Sequence, residues 1–150
     1  MIMPVEIPTA DRCYLIPLFQ NCPYDRVLID SVLEGRFGRA YADSASNPSV
    51  VRLDSGAFTM LGGKSTAMGV KDLLRLAPIR YVTPQTAEWR RTLQVEFGSR
   101  LTALPFTDFS AAALDPARLM GLIWSLPPGF ELKRLDQSLA EQLPADIGNE

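Results

Sequence analysis

The sequence contains no histidine. That removes the side chain most often used as a general base near neutral pH and the commonest zinc ligand. Hydrolase triads built on histidine are therefore excluded within this chain. Cysteine is scarce as well, and the two present, Cys13 and Cys22, are too few and too loosely spaced for a disulfide framework or a metal site. Cys13 reads as a small buried hydrophobe. Charge of one sign is also lacking: 15 Lys and Arg stand against 17 Asp and Glu, a formal net of -2. No basic field points to nucleic acid, and no acidic tail points to a charge-driven partner. No apolar run approaches membrane-spanning length, so no membrane partner is expected. The first residues, MIMPVEIPTADR, carry Glu6 and Asp11 and lack a basic start followed by an apolar core. They do not read as a signal peptide, and the expected location is the cytoplasm.

What is present suits one soluble domain of ordinary size: 150 residues, 47% hydrophobic and 21% charged. The stretch Ala57 to Ala77 organises the reading, because it joins an apolar strand, Ala57 to Leu61, to an amphipathic helix through a glycine-rich turn. Gly62 and Gly63 form that turn, and Lys64, Ser65 and Thr66 follow, with hydroxyls suited to cap the helix. Ala67, Val70, Leu73, Leu74 and Ala77 give the helix one apolar face, and Pro78 ends it. A strand, a bare backbone and a helix start can cradle an anion. The P-loop pattern nevertheless fails, since the position five before Gly63 is Phe58 and the nearest upstream glycine is Gly56. The plainer reading is a capping turn in which Gly62 and Gly63 only reverse the chain.

Around this stretch the elements alternate. Met1 to Ile7 reads as a short edge strand limited by Pro4 and Pro8. Thr9 can cap a helix through Arg12, Cys13 and Ile16 toward Phe19, with Pro17 near its end. A second helix begins at Pro23, carries the stripe Tyr24, Val27, Leu28, Val32 and Leu33, and stops at Gly35. Phe37 to Ala42, Ser49 to Leu53 and Ala57 to Leu61 read as an antiparallel meander, and Ile79 to Val82 as an interior strand. Thr83-Pro84 starts a helix with Trp89, Leu93 and Phe97 four apart, stopped by Gly98. Leu101 to Phe109 reads as a strand interrupted at Pro105, and Asp115-Pro116 starts a helix through Leu119, Met120 and Ile123. Phe130 to Leu135 reads as a last strand, followed by a helix capped by Asp136 with Leu139 and Leu143 inward. No repeat is visible. The order gives an α+β fold with helices flanking a central mixed sheet.

These elements, in this order, resemble the GNAT acetyltransferase superfamily. A narrower likeness rests on Pro17-Leu18-Phe19, Ser31 to Gly35, Gly38 to Asp43, Asn47-Pro48, Phe58 with Leu61-Gly62-Gly63, Glu88-Trp89, and Leu126 to Asp136. Together they resemble the N-terminal half of a bacterial GNAT family that includes the zwittermicin-resistance acetyltransferase. The resemblance implies a degenerate GNAT-like domain at 1–126. It also implies that 127–150 is a linker with the first strand and helix of a C-terminal GNAT unit, and Pro127-Pro128-Gly129 independently reads as a linker. It further implies that the complete enzyme uses acetyl-CoA and a small-molecule amine acceptor, with the cofactor loop in the C-terminal unit as its intramolecular partner. The superfamily's loop, Q/R-x-x-G-x-G/A, corresponds in place to Leu61 to Met68, and these residues do not match it. No catalytic residue of the family maps onto this chain.

The candidate cofactor-binding residues are therefore Gly62, Gly63, Lys64, Ser65 and Thr66, where lysine and capping hydroxyls could meet a phosphate. Trp89-Arg90-Arg91 is a second constellation able to stack or grip a phosphate, against the bland alternative of a core tryptophan and surface arginines. Trp124 suits either packing between two units or a core role. Asp30 and Glu34 form a carboxylate pair on one helix, with Arg26 placed to bond Asp30. Three functions are weighed, the first of them implied by the resemblance. The preferred one is a non-catalytic supporting domain of an N-acetyltransferase. The others are a stand-alone acetyl-CoA binder and an interaction module that forms homodimers.

Overall fold

The computed structural model describes residues 2–22, 24–105, 114–123, 125–134 and 136–142. The chain divides into two compact units, Met1–Ala103 and Leu104–Glu150.

The first unit is built on a five-stranded sheet: β1 (Val5–Glu6), β2 (Arg39–Ala42), β3 (Val50–Ser55), β4 (Phe58–Gly63) and β5 (Tyr81–Val82), in that spatial order. β1 to β4 pair antiparallel, with Ala40 opposite Leu53 and Leu53 opposite Met60. β5 joins parallel to β4, Phe58 opposite Tyr81 and Thr59 opposite Val82. The helix α2 (Val70–Arg75) supplies the crossover that a parallel pair requires. This is the α+β arrangement of a mixed sheet flanked by helices that the sequence pattern implies.

Alternation along β3 divides the core. Val51 and Leu53 join Ala40, Ala42 and Met60 on one face, covered by a 3-10 helix (Thr9–Phe19) and by α1 (Arg26–Leu33). Val50 and Leu61 face the other way, packed against α2 and α3 (Ala87–Phe97) through Val70, Leu73, Trp89 and Leu93. Each face is thus a sheet surface closed by two helical segments.

Several local expectations change. The helix from Thr9 has 3-10 geometry, so residues three apart align and the inward row includes Arg12 and Leu15. Cys13 and Ile16 are exposed, and the buried cysteine is Cys22. α1 starts at Arg26, after Asp25 in left-handed conformation at φ 57°. The face packed on the sheet is Ile29, Val32 and Leu33, and Tyr24 and Val27 lie outside; Pro23 lies outside the described residues. Gly35 ends this helix at φ 74°, as its position predicts.

β5 spans two residues and is the last strand of the described sheet rather than an interior one, with Tyr81 exposed beside Phe58. α3 begins three residues beyond Pro84, because Thr86 adopts the extended conformation and its hydroxyl accepts the Trp89 N–H at 3.2 Å. Residues 101–105 form no strand, and the remainder of that expected strand lies outside the described residues.

In the second unit, α4 (Pro116–Ile123) is capped by Asp115, whose carboxylate accepts from Ala117 N at 2.9 Å. α5 (Gln137–Gln142) is capped likewise by Asp136 at Leu139 N. Both caps follow the sequence. Residues 130–134 are not a strand, while Trp124, Leu135 and Leu143 lie outside the described residues.

Candidate functional site

The expected glycine turn is not a turn. Gly62 and Gly63 are the last two residues of β4, opposite Val51 and Val50, and the Lys64 N–H continues the ladder to the Ser49 carbonyl at 2.9 Å. A side chain at Gly62 would begin 2.6 Å from the Phe19 ring, and Gly63 has φ 80° with the Ser49 carbonyl packed against its Cα. Both glycines are thus required by sheet packing. The chain reverses later, over Lys64 to Gly69, with Ala67 N donating to Lys64 O and Val70 N to Ala67 O, each at 3.1 Å.

Nor do Ser65 and Thr66 cap α2. The cap position is Gly69, which receives no side-chain hydrogen bond. Ser65 and Thr66 stand four and three residues before it, too early to reach the first helical N–H groups. Gly69 is needed because the Asp43 Cβ occupies the place of a side chain there, 2.5 Å from an ideal Cβ. Asp43 accepts from Ser49 N at 2.9 Å and Val50 N at 3.2 Å. Asp72, in the first turn of α2, accepts the Ile2 N–H at 2.7 Å. Two carboxylates already stand at this six-residue helix start, and negative charge there opposes a further anion. These residues do not fit a diphosphate cradle.

A groove of about 400 Å³ lies between the 65–68 turn, α2 and α3. It gathers Ser65 and Thr66 with Lys71 and Arg91, and the Thr92 hydroxyl ties α3 to the turn by donating to Ser65 O at 3.3 Å. Of the five predicted residues, the structure brings Ser65 and Thr66 to this groove. Lys64 is exposed and does not line it, and the glycines remain in β4. Lys71 was not singled out by the sequence, since the helical period marks only its apolar neighbours Val70, Leu73 and Leu74. Trp89 is 3% exposed and is core, so it offers no stacking surface; Arg90 and Arg91 are on the outside.

Two arginines, Arg52 and Arg12, are bound up in packing. Arg52, 1% exposed at the centre of β3, bonds Asp54 at 2.9 Å and donates to the Leu73 and Ala77 carbonyls, both at 3.0 Å. Arg12, also buried, donates to the Val32 carbonyl at 2.8 Å and to Ile7 O at 3.2 Å. Each closes the open carbonyl end of a helix against one face of the sheet. Asp30 is bonded by Arg26 at 2.8 Å and Glu34 by Arg36, on the surface, so the carboxylate pair on α1 is solvated. The Glu88 carboxyl is held below its usual range by its own backbone N–H, then by the Thr86 hydroxyl, a helix-start effect away from the groove lining. Among the described residues no three of His, Cys, Asp or Glu are placed to hold a metal ion, and no helix is long and apolar enough to cross a membrane.

No curated protein and no solved structure matches the chain at significant similarity. A model of the GNAT acetyltransferase family matches residues 16–149, from the end of the 3-10 helix to the penultimate position. With most of its length matched, and with the mixed sheet and crossover helix described above, the chain belongs to the GNAT acetyltransferase family.

Proposed function

We propose that this chain is the N-terminal, non-catalytic unit of an acetyl-CoA-dependent N-acetyltransferase akin to the zwittermicin-resistance acetyltransferase. In this reading residues 1–126 are the supporting domain, and 127–150 lead into a C-terminal GNAT unit that binds the cofactor and carries out transfer to a small-molecule amine. The scaffold holds or shapes the acceptor side. One observation carries the reading: Gly62 and Gly63, the glycines nearest the superfamily's cofactor loop, are locked in β4 by Phe19 and by the Ser49 carbonyl. The turn that remains ends at a helix start already faced by Asp43 and Asp72.

Calorimetric titration of acetyl-CoA into the chain tests this. The expected outcome is no saturable heat. Micromolar binding would overturn it in favour of a stand-alone acetyl-CoA binder, the second reading, which the Lys71 and Arg91 side chains beside Ser65 and Thr66 support. That second reading further requires Arg91→Ala or Lys71→Ala to weaken the binding.

A further inference from the structure

The layer made by α2, β5 and α3 is charged differently from the rest of the chain. Residues 64 to 100 hold seven Lys and Arg and three Asp and Glu, a formal +4, while the remaining residues together carry -6. Most of this surplus is on the surface: Lys71, Arg75, Arg80, Arg90, Arg91 and Arg100 are all exposed. A second groove, about 460 Å³, continues where the first ends, and Leu74 and Glu96 line both. α2 and α3 are therefore separated by one channel. Arg75 bridges it where the two grooves meet, donating to Glu96 at 2.8 Å.

The channel is apolar along its floor and cationic along its banks. Ile79 and Phe97 lie half-buried in it, while Val70 and Leu74, 4% and 2% exposed, belong to the core beneath. Lys71 and Arg91 stand at one end and Arg100 at the other, with the Arg100 guanidinium 5.3 Å above the Phe97 ring. At its lip Met68 is 84% and Val95 77% exposed, large apolar surfaces that water leaves uncovered. The one carboxylate in the lining, Glu96, is already neutralised by Arg75.

We propose that this channel docks an acidic amphipathic helix of a partner protein. Such a helix would set side chains three and four residues apart on the apolar floor and its carboxylates against the arginine and lysine banks. Charge complementarity selects the acidic partner. The apolar surface selects an amphipathic one over a nucleic acid, whose backbone would find no use for Met68, Val95 and Ile79 and whose bases would find the Phe97 face taken by Arg100. This inference does not depend on the scaffold reading, because its test contains no acetyl-CoA.

The probe is a labelled synthetic peptide of about 18 residues, long enough to hold a helix, with leucines spaced by three and four and glutamates elsewhere. A scrambled peptide of the same composition is the control. Fluorescence anisotropy against the full chain at low salt is expected to show saturable binding of the patterned peptide only. The double variant Lys71→Glu with Arg91→Glu is expected to weaken it by about tenfold or more. If that variant does not fold, by circular dichroism, salt titration of the unaltered chain serves instead, and added salt is expected to weaken the complex. Equal binding of the scrambled peptide, no binding of either, tighter binding of a single-stranded oligonucleotide, or binding indifferent to both charge reversal and salt would each overturn the proposal.

Discussion

The ring of Phe19 lies on the backbone of Gly62, with its Cζ 2.6 Å from where a side chain at position 62 would start, and the ring itself is fully buried. Phe19 ends the 3-10 helix and Gly62 nears the end of β4, so this contact fixes one helical layer on the sheet. Its consequence is that a glycine resembling a ligand-loop residue is one that the aromatic ring requires.

Gly62→Ala is accordingly expected to destabilise the fold by about 1–3 kcal/mol, the usual effect of overpacking a filled core. Gly63→Ala is expected to cost more, because the obstacle there is the Ser49 carbonyl rather than a ring that can shift, and φ 80° disfavours any side chain. Chemical denaturation of the two variants measures both. Two variants of unchanged stability would mean that the sheet does not need these glycines.

Arg52 presents a different dependence, since it is a buried cation whose ion-pair partner among the described residues is Asp54. Asp54→Ala leaves the guanidinium with only the Leu73 and Ala77 carbonyls and is expected to cost about 3–5 kcal/mol. Arg52→Met removes the charge, keeps much of the volume, and is expected to cost less. The double variant should be more stable than the sum of the single effects predicts, and a denaturation cycle reads that coupling. Additive effects would mean that the pair contributes no coupling.

The sheet was legible in the sequence because its signals are local. The turn residues around Asn47-Pro48 and Gly56 set the meander. The site was less legible because its geometry depends on contacts between distant residues. Nothing near Gly62 announces Phe19, and nothing near Gly69 announces Asp43, yet these two contacts decide where β4 ends and where α2 begins. The same holds for Arg52, an arginine in a central strand that the carbonyl end of α2 makes a core residue. In the opening segment the sequence pattern suits a helix through Arg12, Cys13 and Ile16, and the three-residue period of the 3-10 helix instead buries Arg12, Leu15 and Phe19.

Capping offers a direct comparison between the two helices of the basic layer. Thr86→Ala removes the hydroxyl that accepts the Trp89 N–H and is expected to cost about 1 kcal/mol. Ser65→Ala and Thr66→Ala, which the sequence alone would rank as equivalent cap losses, are expected to fall within about 0.5 kcal/mol of the unaltered chain. Thermal or denaturant unfolding of the three variants distinguishes them. A loss at Thr66 as large as that at Thr86 would restore the capping role that the structure takes away.

The two thiols should differ in reactivity and in its pH dependence. Cys13 is exposed and Cys22 is buried, and burial pushes the Cys22 thiol up despite the opposing pull of Arg26. A thiol whose folded value lies above its unfolded value holds its proton more tightly in the native state. It therefore stabilises the fold fully below the ordinary thiol range, and this contribution is lost as pH rises through the raised folded value. Titration with an aromatic disulfide reagent at mildly alkaline pH should show one fast equivalent, abolished by Cys13→Ser, and one slow equivalent that tracks opening of the core. Raising the pH further should speed the slow phase and lower stability together, and Cys22→Ala should remove the slow phase and flatten that alkaline loss. Two equally fast thiols, or an alkaline loss unchanged by Cys22→Ala, would contradict the burial that raises this thiol.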